Sequence, residues 1–468
     1  MREQTFVIVG GGASGTLTAY HLARCTQRTK IVLVEPEARP GLGVAYSTGS
    51  LLHLLNVPAG KMSALPEEPG HFLAWLRRHH DPAAKQRDFA PRAVFGRYIQ
   101  SLLAETPGIE HIRAEAVDCR VEGERAVVTL SDGRRLTADA VVLATGNFDP
   151  APLRGVEEEA IRSGAYRHSA WDRGTYAGLE ADAPVALIGT GLTAVDVVLQ
   201  LREMGHRGRI TAISRHGIFP NRHADYAPME RCAIAGPAPK TARELLRGVH
   251  QALRGGHPWR AVVDSLRGRT NELWLALPVQ EQRRFRRHLQ RRWDVVRHRM
   301  APRIAETLDA ELSAGTLTIL KGSVEAVRRD GTGAVVRARS HDGERFEVRA
   351  ERVINCTGPA MDYRRVGSAL LNSLFAQGLI TPGPLGGGLW SDEHGALRAN
   401  NGRHSRVLFN IGPGRQGTLL ESIAIPELRV QAQALAEHLA ARQPAVTEMQ
   451  VQDPPKTFRL RCVAEQSA

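Results

Sequence analysis

Short, wholly apolar runs alternate with segments of helical character at two places along the chain. Residues 6–9 (FVIV) and 31–34 (IVLV) read as buried strands on either side of a glycine-rich turn and a helix-compatible segment. The same order returns at 185–188 (VALI) and 210–213 (ITAI), again with a glycine turn and a helical segment between the two runs. This repeat predicts an α/β protein with two Rossmann-like dinucleotide-binding domains.

The first glycine turn has the spacing Gly-x-Gly-x-x-Gly. Gly10 permits a tight turn, Gly12 lets the backbone approach a pyrophosphate, and Gly15 lets the helix pack closely on the strand. Glu35 ends the second apolar run, where a carboxylate can accept hydrogen bonds from the hydroxyls of a ribose. The residues that we expect to bind this first nucleotide are Gly10, Gly12, Ala13, Ser14, Gly15 and Glu35.

The second glycine turn contains Gly189, Gly191 and Ala194, and its second strand ends on Ser214 and Arg215 instead of an acid. An arginine and a serine suit a ribose phosphate, whereas a carboxylate suits free ribose hydroxyls. We therefore assign NADPH to the second site and FAD to the first. The alternative for Arg215 is an ordinary surface arginine.

Strand-like hairpins follow each unit, and each hairpin leads to an apolar run that ends in Thr-Gly, at 140–146 (AVVLATG) and 352–358 (RVINCTG). We predict the first part of the FAD domain over 1–150 and the NADPH domain over 151–350, with a helical, basic insertion at about 238–312. The second part of the FAD domain is expected over 351–468, with a C-terminal helix and a loose tail after residue 451.

Composition excludes several classes of protein. The chain has 468 residues, of which 42% are hydrophobic and 24% charged, which is typical of a folded protein and not of a disordered one. Neither a secretory signal nor an uninterrupted apolar run of membrane-spanning length is evident, so we expect a cytoplasmic protein without membrane contact. The five cysteines form no closely spaced pair, which argues against disulfides, a zinc site and a dithiol redox centre, and no metal site is expected.

Positive charge is concentrated in the insertion. The net charge is +13, and nine arginines but one acid lie between Arg283 and Arg303. The simplest interpretation is a solvated helix face, opposite a buried stripe that runs from Phe285 to Met300. The alternatives are an electropositive wall over the active site or a docking surface. Nucleic acid is not favoured, because aromatic residues make up 5% of the chain and no recognition module is apparent.

A glycine-rich stretch at 409–421 leads to a predicted helix near the C-terminus. Thr418 and Glu421 have the spacing of a capping box, so a helix is expected to begin there and to be kinked at Pro426. Such a helix start would stabilise negative charge on the pyrimidine side of a flavin. Gly412, Thr418 and Leu419 are therefore further candidates for cofactor binding.

Several motifs together resemble the bacterial FAD/NAD(P)-binding protein family, which is related to class B flavin monooxygenases and includes amino-acid N-oxygenating members. They are the two glycine turns, PGLGVAYST, LLNVPAGKMSAL, ATG at 144–146, SRHG, RHRMAP at 297–302 and IGPGRQGTLLESIAIPELR. The resemblance implies an FAD domain built from both chain ends, with the NADPH domain between them. It also implies that Thr145 and Gly146 contact FAD.

Two further roles come from this resemblance. Asn56 matches the asparagine of an Asn-x-Pro motif that lies beside the flavin where oxygen adds, and Arg92 matches more loosely an arginine beside FAD. The fingerprint FxGxxxHxxx(aromatic) of class B monooxygenases is only partly present. Gly164 and His168 keep its spacing, but Arg162 replaces the phenylalanine and Trp171 comes one residue early. His168 is either a residue that links the two domains or a structural loop histidine.

The resulting hypothesis is an FAD-dependent, NADPH-using monooxygenase that acts through a flavin peroxide with molecular oxygen. Its substrate would be a small acidic or amine-bearing metabolite, for example an amino acid that is N-hydroxylated. A flavin dehydrogenase or reductase without oxygen insertion is one alternative, and a flavin-binding sensor or scaffold is another. Homo-oligomer formation stays open.

Overall fold

The computed structural model describes residues 3–26, 29–172 and 174–442, so the tail predicted after residue 451 lies outside the described residues. The strands are β1 Gln4–Val9, β2 Thr29–Val34, β3 Ile109–Ile112, β4 Ala116–Glu122, β5 Arg125–Leu130, β6 Arg135–Ala138, β7 Ala140–Leu143, β8 Tyr166–Arg167, β9 Val185–Ile188, β10 Ile210–Ser214, β11 Leu317–Lys321, β12 Ser323–Asp330, β13 Gly333–Arg339, β14 Arg345–Ala350, β15 Arg352–Asn355, β16 Ala396–Arg398 and β17 His404–Asn410.

The α-helices are α1 Ala13–Cys25, α2 Gly43–Tyr46, α3 His71–His79, α4 Arg92–Ala104, α5 Glu158–Arg162, α6 Leu192–Glu203, α7 Ala242–Arg254, α8 Trp259–Ser265, α9 Thr270–Leu275, α10 Val279–His288, α11 Gln290–Arg297, α12 Pro302–Ser313, α13 Ala369–Ala376 and α14 Ile425–Ala440. Short 3₁₀ helices cover Ala59–Lys61, Arg267–Arg269, Tyr363–Arg365 and Gly412–Gly417. Among the described residues, no helix is both long and apolar enough to cross a membrane.

The first sheet combines strands from both ends of the chain. Its order is β16-β17-β7-β1-β2-β3, and every pair is parallel except β16 with β17. Helix α1 packs against the C-terminal helix α14, and both contact the same face of this sheet. The apolar strands β1, β2 and β7 are buried on both faces because helices cover one side and the small β4-β5-β6 sheet covers the other.

The second sheet is wholly parallel, in the order β11-β10-β9-β15-β8. A three-stranded antiparallel sheet, β12-β13-β14, precedes β15, just as β4-β5-β6 precedes β7. The mixed α/β class with two parallel sheets therefore agrees with the sequence prediction. Because β15 lies in the second sheet, this unit continues to at least Asn355, past the border predicted at residue 350.

The helical insertion differs from the single amphipathic helix expected between Arg283 and Arg303. Helix α10 ends at His288, and α11 begins two residues later. Leu289 between them has φ −116° and packs, partly buried, against the cluster that contains Trp274 and Phe285. The apolar positions therefore face the core from two short helices instead of one.

The C-terminal helix also begins later than predicted. Gly412–Gly417 is a 3₁₀ helix, and α14 starts at Ile425 with Pro426 in its first turn. No capping box forms, because the Thr418 hydroxyl accepts a hydrogen bond from the Ser391 N–H and donates one to the Ser391 carbonyl, each at 3.0 Å. Pro426 therefore opens the helix, where its missing N–H costs nothing, and does not kink it.

Candidate dinucleotide sites and the cavity between them

The first glycine turn is built so that side chains are excluded. Gly10 has φ +103°, and a Cβ there would lie within 3.0 Å of the Ala144 carbonyl oxygen. A Cβ on Gly15 would collide with the carbonyl of Gly10. Gly12 is different, since its nearest neighbour would be the Gly43 Cα at 3.5 Å. Two of the three glycines are thus required by the protein's own packing, and the third leaves open space at the start of α1.

That open space lies at a helix N-terminus with unpaired donors. Gly12 is the N-cap of α1 and offers no side-chain cap, whereas Thr241 caps α7 with its hydroxyl. The first-turn N–H groups at Ala13 and Ser14 therefore suit a pyrophosphate. The C-terminal segment comes close to the same place, because a Cβ on Gly412 would be 2.5 Å from the Ser14 hydroxyl oxygen.

Glu35 lies at the end of β2, directly beside the glycine turn. Its Oε2 accepts a hydrogen bond from the Gly11 N–H at 2.6 Å, and its Oε1 accepts one from the Glu37 N–H at 3.0 Å. Thr145 and Gly146 follow β7 at the same edge of the sheet, and the Gly146 carbonyl accepts a hydrogen bond from the Tyr363 hydroxyl at 3.2 Å. The structure thus brings together the residues predicted for the first nucleotide.

The second glycine turn repeats the geometry of the first. Gly189 has φ +122°, and a Cβ there would lie within 3.0 Å of the Cys356 carbonyl oxygen. Gly191 is the N-cap of α6, again without a side-chain cap, and a Cβ there would meet nothing within 4 Å. Ala194 is fully buried under this turn. The two turns therefore offer the same kind of cradle for a pyrophosphate.

Positive charge surrounds the end of β10. The Ser214 hydroxyl is 2.9 Å from the Thr190 hydroxyl, which ties the strand end to the glycine turn. Arg215 is exposed and has no ion-pair partner among the described residues. Burial and the charges of Arg215, Arg291 and other nearby cations lower the pKa of His216.

Arg291 reaches this site from the helical insertion. Its Nη2 donates hydrogen bonds to the Thr190 carbonyl at 3.1 Å and to the Ile218 carbonyl at 2.5 Å. Burial lowers the pKa of this guanidinium. The sequence had shown a run of arginines here, but nothing in its periodicity singles out Arg291 as the one that contacts the second turn.

A cavity of about 180 Å³ lies where both nucleotide units, the insertion and the C-terminal segment meet. Most of its wall is apolar, and the polar side chains in it belong to Asn56, Arg92, Asp196 and His298. Asn56 and Arg92 were expected here, whereas Asp196 and His298 were missed. Asp196 lies on α6 in a stretch of ordinary helical pattern, so no sequence signal marks it. His298 directly follows α11 within the RHRMAP stretch at 297–302, which carried the family resemblance but no assigned role for this histidine.

Two charged residues join the units at this cavity. Arg92 Nη2 lies 2.7 Å from Asp196 Oδ2, and the Asp196 carbonyl accepts a hydrogen bond from His53 Nε2 at 3.0 Å. Burial raises the pKa of Asp196, although the Arg92 charge opposes this shift. Burial likewise lowers the pKa of His53.

His168 is not part of the cavity wall. It follows β8 at the edge of the second sheet and is half-buried, with Asp172 as its charged neighbour. Trp171 of the partial fingerprint lies beside a residue of the cavity wall, because the Arg92 guanidinium is 5.8 Å from the centre of its ring. His168 therefore does not share the cavity wall with Asn56.

The C-terminal segment is held by the insertion. Trp274 Nε1 donates a hydrogen bond to the Thr418 carbonyl at 3.0 Å, and Leu419 is buried. The buried Arg297 pairs with Glu421 at 3.3 Å and with Glu427 at 3.2 Å. The arginines of the insertion are thus partly internal, which corrects the simple interpretation of a solvated face.

Comparisons with known proteins agree with this geometry. A family model described as FAD-NAD(P)-binding matches residues 7–148. Among curated proteins, a tRNA uridine 5-carboxymethylaminomethyl modification enzyme of Granulibacter bethesdensis is 30% identical over 161 residues. That match spans 32% of this chain and 25% of the relative, so the chain covers only about a quarter of that relative's length.

Solved structures match over nearly the whole chain. An L-lysine 6-monooxygenase from Pseudomonas syringae has TM-score 0.64 at 13% identity and covers 94% of this chain and all of its own. The ornithine N-hydroxylase of Kutzneria sp. 744 has TM-score 0.62 at 15% identity, with 94% and 99% covered. A bacillithiol disulfide reductase from Staphylococcus aureus reaches TM-score 0.56 at 13% identity, with the same coverage.

The family model and the two glycine turns define a protein of the FAD/NAD(P)-binding class, with the matched domain at residues 7–148. Within that class, the chain shares its fold with flavin monooxygenases that include the ornithine and lysine N-hydroxylases. The resemblance stated from the sequence motifs is therefore confirmed.

Proposed function

We propose that this protein is an NADPH-dependent flavin monooxygenase that oxygenates a small acidic or amine-bearing metabolite. The observation that carries this proposal is the cavity between the two glycine turns, with Asn56 in its wall. A site at the carboxyl ends of two parallel sheets is where such folds bind their ligands. The likeness to amino-acid N-hydroxylases over 94% of the chain supports the same conclusion.

The first site fits FAD. Gly12 leaves room for the pyrophosphate, the uncapped start of α1 provides N–H donors, and Glu35 offers a carboxylate to the ribose. When bound there, FAD supplies the redox chemistry and the reaction with oxygen. The protein's part is to hold the nucleotide, to exclude water and to orient the substrate.

The second site fits NADPH better than NADH. Ser214 and the exposed Arg215 stand where an acid would otherwise accept the ribose hydroxyls, and Lys321 and Arg291 add positive charge nearby. A phosphate on the ribose would gain charge-assisted hydrogen bonds from this group of cations. Gly191 has no side chain and leaves room for the pyrophosphate to approach the N-terminus of α6.

Around the cavity, the chain provides a mostly apolar wall. Tyr46, Leu55 and Met62 come from the first unit, and Met300 and Ile304 come from the insertion. An apolar wall excludes water from the reacting atoms. Asn56 presents an amide to this space, while its backbone carbonyl accepts a hydrogen bond from His223 Nε2 at 3.0 Å.

The test is turnover by purified protein loaded with FAD. We expect a yellow protein that oxidises NADPH faster than NADH, and that forms an oxygenated product from one member of a panel of amino acids and amines. Hydrogen peroxide is measured in parallel. Protein that takes up no FAD contradicts the proposal. The proposal is also contradicted if, with every compound in the panel, the amount of hydrogen peroxide released equals the amount of NADPH oxidised, because no oxygen has then entered a product.

A second candidate is a flavin reductase that inserts no oxygen, and the fold similarity to the disulfide reductase favours it. The described cysteines Cys25, Cys119, Cys232 and Cys356 are all unpaired, so a dithiol mechanism has no support among them. Anaerobic oxidation of NADPH with a disulfide or quinone acceptor would establish this function. A sensor or scaffold role for the insertion has less support, since Arg291 and Arg297 bind within the chain.

A further inference from the structure

A second polar group of residues lies beside Asn56, outside both dinucleotide sites. Arg299 follows α11, and its Nη2 donates a hydrogen bond to Asp264 Oδ1. The Tyr226 hydroxyl donates to the other oxygen of the same carboxylate. We call Lys61, Tyr226, Arg260, Asp264 and Arg299 the Arg299 cluster.

Arg299 is buried but only partly paired. Its side chain is 3% exposed, and its Nε and Nη1 have no hydrogen-bond acceptor among the described residues. Buried guanidinium donors are normally satisfied, because an unmade hydrogen bond to a charged group is costly. Asp264 accepts only the Nη2 donor of this guanidinium, and its other oxygen accepts a hydrogen bond from Tyr226.

The cluster has an excess of positive charge. Arg260 donates its Nε and Nη2 to the Arg222 carbonyl, and Lys61 is exposed without an acidic partner in the described part of the chain. The Trp259 ring lies 4.3 Å from the Arg260 guanidinium and 5.9 Å from that of Arg299. The charges of Arg299 and Lys61 both act on the one carboxylate of Asp264, and Arg260 adds a third positive charge near Arg299.

Hydrogen bonding keeps that carboxylate ionised. Burial alone would raise the pKa of Asp264, but hydrogen bonds from Arg299 and Tyr226 outweigh burial and lower it. The negative charge is therefore committed to holding the Arg299 guanidinium in place. Arg299 Nε and Nη1 are left buried without an acceptor in the described part of the chain, and Lys61 lies exposed beside them in the cluster.

The cluster adjoins the cavity through neighbouring residues. Met62 and Met300 line the cavity, and they directly follow Lys61 and Arg299 in the chain. Asn56 also lines it, and its carbonyl is bound by His223, whose charged neighbours include Arg299 and Lys61. A small molecule could place one end at the cluster and the other in the cavity.

We propose that the Arg299 cluster binds the carboxylate group of the substrate, so that the protein acts on a metabolite that carries a carboxylate. Arg299 forms the floor, with a planar fork that matches a carboxylate, and Lys61 and Arg260 form the rim. This inference rests on the proposed function, because it takes the cavity beside Asn56 as the place of reaction. The rest of the molecule extends from the cluster into that cavity.

The test is a titration that needs neither NADPH nor turnover. FAD-loaded protein is titrated with the straight-chain acids from acetate to hexanoate and with the matching neutral amides, and the flavin absorbance and the melting temperature are followed. We expect at least one acid to cause a saturable change that its amide does not cause. Added salt should weaken the effect.

Variants then locate the binding. Arg299→Gln should weaken binding of that acid roughly tenfold to a hundredfold, and Arg299→Lys should weaken it too because the fork is lost. Lys61→Met lies at an exposed position and tests the rim if changes at Arg299 impair folding. Arg303→Gln, an exposed arginine at the start of α12, is the matched control and should leave binding unchanged.

Equal binding of acid and amide overturns the inference, and so does the absence of any acid effect. The inference is also overturned if Lys61→Met and Arg299→Lys both bind the acid as tightly as the wild-type protein does. If Arg299→Gln weakens NADP⁺ binding but not that of the acid, the cluster belongs to the cofactor site instead. The melting temperature reports binding of the acid without any reaction of the flavin. Acid binding can therefore be absent in an active monooxygenase, and it can be present in a protein that proves not to be a monooxygenase.

Discussion

Arg92 at the start of α4 and Asp196 on α6 form an ion pair of 2.7 Å that joins the two nucleotide units. Their side chains are 18% and 12% exposed, so the pair is largely removed from water. Both residues also line the cavity between the units. The relative position of the two dinucleotide sites therefore depends on a charged contact, and not only on apolar packing.

Removing one member of this pair should destabilise the protein. Arg92→Met leaves the Asp196 carboxylate buried without its partner, which costs about 3 kcal/mol. We expect a lower midpoint of urea unfolding, and partial recovery in the double variant with Asp196→Leu. Arg97→Met, at an exposed position on the same helix, is the control. An unchanged midpoint for Arg92→Met would show that the pair contributes nothing.

The glycines of the first turn should divide into two kinds. Gly10→Ala places a Cβ against the Ala144 carbonyl at a positive φ, so it should lower stability by at least about 2 kcal/mol. Gly12→Ala meets only an ordinary contact, so the protein should fold normally but retain FAD roughly tenfold less tightly. Melting curves and FAD titration separate the two effects.

The second turn provides the corresponding test for NADPH. Gly191→Ala should keep wild-type stability and FAD content while NADPH binding falls roughly tenfold, since a Cβ there meets only empty space in the folded protein. Gly189→Ala should instead destabilise the second unit, because its Cβ meets the Cys356 carbonyl. Tight NADPH binding by Gly191→Ala would argue against a pyrophosphate at this turn.

Arg215 should decide the preference for NADPH. Arg215→Gln removes an exposed guanidinium from the end of β10, so KM for NADPH should rise roughly tenfold to a hundredfold while KM for NADH changes little. Arg209→Gln serves as the control, because it removes the same positive charge from an exposed arginine just before the start of β10. If the ratio of the two KM values stays constant, Arg215 is an ordinary surface residue.

Asn56 should affect the fate of oxygen more than the use of NADPH. Asn56→Ala removes the amide from the cavity wall, so we expect NADPH oxidation to continue while the fraction of oxygenated product falls roughly tenfold. The measurement is product and hydrogen peroxide per NADPH. Asn401→Ala, an exposed asparagine in a loop, should behave as wild type. Unchanged product yield would remove Asn56 from the reaction.

Acid should destabilise the protein through His223, which donates a hydrogen bond to the Asn56 carbonyl. Burial, and then the charge of Arg299, lowers the pKa of His223 from 6.5 to about 4. Between these values the unfolded chain binds a proton that the folded protein does not, so stability is full above pH 6.5 and declines as pH falls towards 4. His223→Gln should flatten this decline, whereas the exposed His341→Gln should not. Melting temperature as a function of pH is the measurement.

The dinucleotide turns could be predicted because their physics is local. Gly15 is required by the Gly10 carbonyl within the same turn, and Gly10 is required by its own positive φ. The further contact of a Gly10 Cβ with Ala144 comes from the neighbouring strand, and Glu35 follows β2. The start of α14 could not be predicted in the same way. Thr418 had the right spacing for a cap, but its hydroxyl binds Ser391, 27 residues away in the chain.

The amino-acid sequence by itself determined the two parallel units, their glycine turns and the contrast between Glu35 and Arg215. Those features follow from apolar runs and backbone conformation over a few residues. Only the tertiary structure decided which arginines of the insertion are buried, and that Arg92 meets Asp196 across the cavity. Such pairings join residues about a hundred positions apart, and their energies depend on burial, which no local pattern records.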